Sequence, residues 1–250
     1  MDYSRLTLAH WNAQRSRILN SVERIIERVE AVKTGRVVPT DTDLEIGVGR
    51  RLRMAVLFLD ICSFSTRPSE DSNEQELVLR TLNLFFTEMI RIAEEYGGAI
   101  EKNTGDGLMV YFEDGGGDPP EGGCTRAVAS AMSMFFASYY AINPLLNQAS
   151  LPLVSFRFGI DYGWVTIARV GAARRHSSLV AVGTTANVAN KMLGFAEPNE
   201  ILIGGNVFTN LPPAWRQYCS LRVANTGWTY RLTGLPYPFH SFSGRFIPPW

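Results

Sequence analysis

Residues 54–60, MAVLFLD, restrict the fold more than any other stretch of this chain. Six consecutive apolar residues precede a single acid, and an apolar run without alternation is typical of a strand that is covered on both faces. A strand with one face in water would alternate apolar and polar residues. The run therefore predicts a central strand between packed layers, with Asp60 at its carboxyl end.

The segments that follow predict an α+β domain. Residues 73–96 carry an apolar stripe that stops at Gly97 and Gly98, which predicts a long helix. The other predicted core elements are a β-hairpin over 100–112, a second helix over 125–141, and two strands within 153–171 that are hinged at Asp161, Tyr162 and Gly163. The order β-α-β-β-α-β predicts a ferredoxin-like core, with helices on one face of an antiparallel sheet.

Further elements are predicted on both sides of this core. The C-terminal ones are a capped helix from Thr184, a strand at ILIGG, a short helix at NVFTNLP, and closing strands near 217–223 and 227–232. A heptad pattern from Trp11 to Lys33 predicts an N-terminal helix, which can pack on its own domain or pair with a second chain. The predicted organisation is a helix and linker at 1–52, a catalytic domain at 53–235, and a Pro- and aromatic-rich tail at 236–250 that we expect to form surface coil.

Composition excludes several classes of partner. Lys plus Arg and Asp plus Glu each number 24, so no overall positive field attracts nucleic acid or an anionic membrane. The N-terminus, MDYSRLTLAHWNAQRSRILN, has no apolar signal core, and no run of about 18 apolar residues occurs, so we expect neither secretion nor a membrane span. Cys62, Cys124 and Cys219 are widely spaced and lack a CxxC pair, which favours a cytoplasmic location over a disulfide framework or zinc site.

Asp60 and Asp106 are predicted to meet at one end of the sheet. Strands one and three of a ferredoxin-like sheet are neighbours, and the hairpin turn NTGDG places Asp106 beside the end of strand one. A simpler interpretation of Asp106 is that Asp-Gly pairs are common in hairpin turns. Two converging carboxylates repel each other unless a cation lies between them, so the pair indicates a divalent metal site. The ICSFS segment after Asp60 offers backbone N–H groups to a phosphate.

Four motifs, in this order, resemble the catalytic domain of class III nucleotidyl cyclases. They are DICSFS from Asp60, NTGDG around Asp106, FRFGIDYG from Phe156 and VGTTANVANKM from Val182. The corresponding family patterns are D-[IL]-x-[GS]-F-[ST], K-x-x-GD, R-x-G-I-x-x-G and G-x-x-V-N-x-A-x-[RK]. The resemblance covers residues 53 to 232, and the chain is similar to the pyrimidine cyclases of bacterial anti-phage signalling, which make cyclic UMP or cyclic CMP.

The resemblance implies a two-metal mechanism. Asp60, Asp106 and the Ile61 carbonyl would bind two divalent cations, Mn²⁺ or Mg²⁺. One ion would activate the 3′-hydroxyl of the substrate for attack on the α-phosphorus, and the other would hold the triphosphate and the leaving pyrophosphate. The implied phosphate donors are the backbone amides of Cys62, Ser63 and Phe64. Further candidate triphosphate contacts, with an ordinary surface role as the alternative, are Arg157, Arg174 and Arg175.

Asn187 and Lys191 are the catalytic side chains that the resemblance implies. Asn187 matches the family asparagine that orients the ribose, and Lys191 lies one helical turn further on the same face. Most members have Arg at the second position, and Lys lacks its bidentate fork. Because the Asp pair and the Asn/Lys pair come from different subunits in this family, the resemblance implies a homodimer with shared sites. An ordinary exposed helix face would show the same spacing.

Lys102 and Val180 match the positions that read the base. Lys102 stands where adenylate cyclases carry a purine-reading Lys, although a solvated strand residue is equally consistent with its position. Val180 stands at the position of the second residue that recognises the base. That residue is usually Asp or Thr in adenylate cyclases and Cys in guanylate cyclases. Val cannot form a hydrogen bond, and an unmatched buried polar group costs ~1–3 kcal/mol. The adenine pocket of the family is therefore incomplete in this chain.

These residues support three hypotheses about function. The first is a pyrimidine nucleotidyl cyclase, with UTP favoured over CTP, whose product a downstream effector reads in anti-phage defence. The second is an adenylate cyclase that uses Lys102 alone. The third is a catalytically inactive cyclase-like domain that binds a nucleotide and acts as a regulator. Inactive domains of this kind commonly lose a metal-binding Asp, whereas Asp60 and Asp106 are both present.

Overall fold

The structure is a computed structural model of the 250-residue chain, and it describes residues 33–34, 44–64, 70–103, 105–114, 122–171 and 177–246. The predicted N-terminal helix lies outside these residues except at Lys33, which belongs to a two-residue strand. Arg174 and Arg175 also lie outside them. No helix in the described ranges is both long enough and apolar enough to cross a membrane.

The described strands form one mixed sheet. Their bounds are β1 Lys33–Thr34, β2 Gly49–Ile61, β3 Ala99–Asn103, β4 Gly107–Glu113, β5 Phe156–Gly171, β6 Ser177–Val182, β7 Ile201–Gly204, β8 Cys219–Val223 and β9 Phe239–Phe242. The order along the sheet is β3-β4-β2-β5-β7-β9-β8, with β1 paired to β2 and β6 paired to β5. The β3-β4-β2-β5 part has the strand order of a ferredoxin-like core. This confirms the predicted α+β fold class.

The helices follow the predicted order but extend it. Their bounds are α1 Ser72–Glu95, α2 Gly123–Ala137, a π-helical turn Ser138–Ile142, α3 Asn143–Gln148, α4 Thr184–Met192, α5 Gly205–Asn210 and α6 Pro213–Arg216. A capping box starts α1, because the Asp71 side chain accepts from the Glu74 amide at 2.8 Å and the Glu74 side chain accepts from the Asp71 amide. The helix predicted from Thr184 is α4, which starts at that residue with Gly183 as its N-cap and without a side-chain capping hydrogen bond.

Two apolar layers cover the opposite faces of β2. Alternate residues such as Leu57 and Leu59 pack with α1 and α2, in a core that includes Phe85 and Phe156. The intervening residues, such as Val56, belong to a second core with residues of α4. Because side chains alternate along a strand, both faces of β2 are buried, as the uninterrupted apolar run predicts.

Two further predictions about the C-terminal half are wrong. The hinge predicted at Asp161 is absent, since β5 runs without interruption and pairs with β2 from Ile61↔Phe156 to Gly49↔Ala168. The predicted surface coil of the tail is wrong at Phe239–Phe242, because these residues form β9, which pairs with both β7 and β8. Phe239 and Phe242 of β9 are buried. The segment 227–232, predicted as a strand, contributes only an isolated bridge between Thr229 and Pro236.

Candidate active site

Asp60 and Asp106 lie next to each other at one end of the sheet. Asp60 is paired with Gly107 across β2 and β4, and the Ile61 amide donates a hydrogen bond to the Asp106 carbonyl at 2.9 Å. Asp106 follows Gly105, whose φ of 94° is in the region that favours glycine. The hairpin thus places the two acids on neighbouring strands, as the sequence predicts.

Arg157 pairs with Asp60 on the adjacent strand. Its Nε and Nη2 atoms donate to Asp60 Oδ2 at 3.0 and 2.9 Å, and its Nη1 atom donates to the Ala196 carbonyl at 3.1 Å. The Asp60 side chain retains 23% of its exposure and that of Arg157 retains 29%. The sequence leaves open whether Arg157 contacts the triphosphate or is an ordinary surface residue, and in this structure it holds one oxygen of Asp60 at the candidate metal site.

The remaining carboxylate oxygens suit a hard divalent cation. Asp60 Oδ1 and the Asp106 carboxylate form no hydrogen bond or ion pair with any residue that the structure describes. Carboxylate and carbonyl oxygens are the ligands that Mg²⁺ and Mn²⁺ prefer. The described residues contain no group of three or more His, Cys, Asp and Glu side chains that could hold a metal ion. A cation bound between these two acids would therefore need backbone, water or substrate oxygens to complete its coordination.

The turn after Asp60 is held to the start of the next core segment. The Cys62 amide donates to the Ser155 carbonyl at 2.9 Å, so in this conformation it is not directed at a phosphate. Ser63 has a φ of 55°, a left-handed conformation that costs most residues about 1–2 kcal/mol. Burial raises the pKa of the Cys62 thiol. Cys62, Ser63 and Phe64 thus form a tight turn directly after β2.

Asn187 and Lys191 lie on the outer face of α4. The inner face of this helix consists of buried residues, including Ala189 and Met192, whereas Asn187 and Lys191 are exposed. Asp60 lies on the same side of the sheet as α4, because it continues the alternation of Val56 along β2. The two predicted catalytic side chains therefore point away from the sheet surface that carries Asp60.

The predicted base-reading positions lie on separate strands. Lys102 is in β3, opposite Met109, and its side chain is outside the described parts of the structure. Val180 is half-buried in β6, opposite Ala168. Between β3 and β6 lie β4, β2 and β5. One chain therefore does not bring Lys102 and Val180 together on adjacent strands.

A buried acid that the sequence did not identify lies in the middle of β5. Asp161 is 3% exposed and accepts a hydrogen bond from the Tyr237 hydroxyl at 2.5 Å. Burial raises its pKa to about 7, and the Tyr237 hydrogen bond lowers it only in part. The sequence predicts Asp161 as a turn residue and Tyr237 as part of a coil. The available signal was the position of Asp161 between Ile160 and Tyr162, in a stretch at 158–165 that is otherwise apolar.

A family model supports this arrangement of elements. The model for the adenylate and guanylate cyclase catalytic domain matches residues 49–227. An adenylate cyclase from Anabaena cylindrica is 30% identical over 172 residues, which are 68% of this chain and 33% of that protein. The chain thus spans about a third of the length of this curated relative.

Solved cyclase structures share the fold. The guanylyl cyclase Cya2 is 21% identical with a TM-score of 0.63, covering 80% of this chain and 96% of that one. The adenylyl cyclase CyaB from P. aeruginosa is 23% identical with a TM-score of 0.58, covering 79% and 97%. The guanylate cyclase domain of RhGC from Catenaria anguillulae, in complex with GTP, is 20% identical with a TM-score of 0.58, covering 78% and 98%. At these identities the likeness concerns the fold alone.

Proposed function

The chain belongs to the family of adenylate and guanylate cyclase catalytic domains, and from this premise we propose that it converts a nucleoside triphosphate to a 3′,5′-cyclic monophosphate and pyrophosphate. The observation that carries the proposal is the meeting of Asp60 and Asp106 at the ends of β2 and β4. An inactive regulator would have no need for two carboxylates in this position. The proposed enzyme is a phosphorus–oxygen lyase.

The proposed site uses carboxylates to hold cations and amides to hold phosphate. Asp60, Asp106 and the Ile61 carbonyl would bind two divalent cations, which supply positive charge to the triphosphate and the reacting 3′-oxygen. Arg157 holds Asp60 Oδ2, so Oδ1 would be the oxygen that binds a cation. The amides of Ser63 and Phe64 would bind phosphate oxygens. The chain's own contribution is therefore position and charge, with no covalent intermediate.

We propose that two copies of the chain share each site. Asn187 and Lys191 lie on the exposed face of α4 and point away from the surface around Asp60. A second chain packed on this surface could present the same two residues to the Asp pair of its partner. Two-fold symmetry would then produce two equivalent sites. In this arrangement, Asn187 and Lys191 on the outer face of α4 would act on the substrate that is bound at Asp60 of the partner chain.

The proposed substrate is a pyrimidine nucleoside triphosphate, UTP ahead of CTP. Val180 is half-buried and cannot donate or accept a hydrogen bond, so the position lacks the polar reader that adenine or guanine would need. The product would act as a second messenger for an effector in anti-phage defence, a role supported by the sequence resemblance alone. ATP is the alternative substrate, favoured by Lys102 and by the name of the Anabaena cylindrica relative.

A nucleotide panel tests the proposal. The purified chain is incubated with Mn²⁺ and each of the four ribonucleoside triphosphates, and the products are identified by chromatography and mass spectrometry. We expect cyclic UMP to form fastest and cyclic CMP next. Faster formation of cyclic AMP would overturn the pyrimidine assignment and support the alternative. Absence of any cyclic product, together with nucleotide binding measured by calorimetry, would instead support an inactive regulator.

A further inference from the structure

A cavity of about 520 Å³ lies at the end of α2, on the side of the sheet opposite to α4. Its size is within the ~300–1,000 Å³ range of small-molecule sites. Five aromatic side chains line it, namely Phe135, Phe136, Tyr139, Tyr140 and Phe246. Such a wall provides flat apolar surfaces on which a planar ligand can stack.

One positively charged side chain, that of Arg245, also lines this aromatic cavity. The Arg245 guanidinium lies over the Phe135 ring, 4.7 Å from its centroid, and donates to the carbonyls of Gly244 at 2.8 Å and Asn199 at 2.9 Å. No carboxylate of a described residue lies within salt-bridge distance of it. Burial lowers the pKa of Arg245, which reflects the cost of partly removing its charge from water without an anionic partner.

We propose that this aromatic cavity is a binding site for a small aromatic anion, with its rings against the aromatic wall and its acidic group on Arg245. The ligand class follows from two features of the lining: five aromatic side chains, and one positive charge whose partners among the described residues are neutral carbonyls and a ring. A neutral apolar ligand would leave that charge unmatched. The proposal does not depend on the cyclase reaction, because the site does not include Asp60 or Asp106.

The aromatic cavity is connected to the turn after Asp60 through its own lining. Ser155 lines the cavity, and its carbonyl accepts the hydrogen bond from the Cys62 amide at 2.9 Å. The Asn143 side chain holds the same segment, since it donates to the Val154 carbonyl at 2.9 Å and accepts from the Val154 amide at 3.0 Å. A ligand packed on this segment would stabilise the acceptor of the Cys62 amide. Binding is therefore expected to slow hydrogen exchange at Cys62.

Two fluorescent probes that differ in one charge test the proposal on the full chain. They are 8-anilinonaphthalene-1-sulfonate, an aromatic anion, and N-phenyl-1-naphthylamine, its neutral counterpart. We expect one sulfonate probe to bind per chain. Replacing Arg245→Gln should weaken sulfonate binding by about tenfold or more, the effect of losing a charge-assisted hydrogen bond, and should leave the neutral probe within about twofold.

Matched variants separate the cavity from the rest of the surface. Leu153 lines the cavity and is exposed, so Leu153→Trp should obstruct it and reduce binding of both probes. The controls are Leu79→Trp and Arg80→Gln, which change exposed residues of α1 outside the cavity. Both controls should bind the probes as the parent chain does. Hydrogen exchange with the sulfonate probe bound should slow at Cys62 in the parent chain and not in Leu153→Trp.

Three results would overturn the proposal. One is sulfonate binding that is unaffected by both Arg245→Gln and Leu153→Trp. Another is binding of neither probe to the parent chain but of both to a chain that ends at Phe246, which would assign the cavity to residues 247–250. The third is a change from dimer to monomer, measured by sedimentation, when Leu153→Trp abolishes probe binding. That result would assign this surface to contact between two copies of the chain.

Discussion

Replacing Asp161→Asn tests whether this buried side chain is protonated in the folded chain. Asp161 is enclosed between Gly204 and the Tyr237 hydroxyl, which donates to its Oδ1 atom. No ion pair of a described residue includes it. Asn has nearly the same shape and keeps an oxygen for the Tyr237 hydrogen bond. It therefore removes the ionisable group with little change in packing.

The expected effect follows from the difference in pKa between the folded and unfolded chain. Burial raises the pKa of Asp161 from 3.8 to about 7. Because the folded pKa is the higher one, the stabilisation is complete below about pH 4 and is lost as the pH rises through 7. Between pH 5 and pH 8 the parent chain should lose roughly 3 kcal/mol of its unfolding free energy from this group. The Asn variant should lose none of it.

Urea unfolding of both chains at pH 5, 6, 7 and 8, followed by circular dichroism, measures this difference. The stability of the variant relative to the parent should rise by roughly 3 kcal/mol across the range. Glu95→Gln is the matched control, because it removes a carboxylate from an exposed position on α1. The change with pH for Asp161→Asn is measured relative to this control. A change no larger than that of the control would refute the assignment of a protonated, buried carboxyl.

Of three further predictions, two concern the candidate active site and one concerns the packing of α4 on the sheet. Asp60→Asn and Asp106→Asn should each lower cyclase activity at least ~100-fold while the circular dichroism spectrum remains that of the folded chain, whereas residual activity within tenfold of the parent would contradict a metal-binding role. An equal mixture of Asp106→Ala and Asn187→Ala chains should recover about a quarter of parental activity, since random pairing leaves one intact site in half of the dimers; no recovery would argue against shared sites. Gly159→Ala should lower the melting temperature by several degrees, because the added Cβ would collide with the Ala189 carbonyl and displace α4; an unchanged value would show that α4 can shift without cost.

The sequence predicted the elements whose signals are local. The uninterrupted apolar run of β2 requires burial on both faces, and its pairing with β4 and β5 meets that requirement. The capping box at Asp71 and Glu74 begins α1 within one residue of the predicted start. The turn at Gly105 and Asp106 likewise depends on residues that are neighbours in the chain. Each of these features can be inferred without knowing what the rest of the chain contacts.

The errors arose where distant residues decide the local structure. Asp161 and Gly163 resemble turn formers, yet Tyr237 provides a partner for the acid, and the absence of a Cβ at Gly163 lets Thr185 approach. The backbone can then continue as a strand. Similarly, Pro236 and Pro238 favour coil, but β9 begins after them and takes its hydrogen bonds from β7 and β8. Local propensity is a weak guide where long-range pairing supplies the missing interactions.

Asp60 and Asp161 show why residue type alone could not separate a candidate metal ligand from a buried polar residue. Both are acids in the two central paired strands of the same sheet, and both lie on the face that α4 covers. Asp60 is at a strand end, retains solvent contact and pairs with Arg157, so its carboxylate is placed where it can bind a cation. Asp161 is in mid-strand, and its partners among the described residues, the Tyr237 hydroxyl and the Tyr162 backbone, are both neutral, so burial favours its uncharged form. The position of each acid along its strand, and the charge of its partner, therefore support the proposed metal-binding role for Asp60 and a role in packing for Asp161.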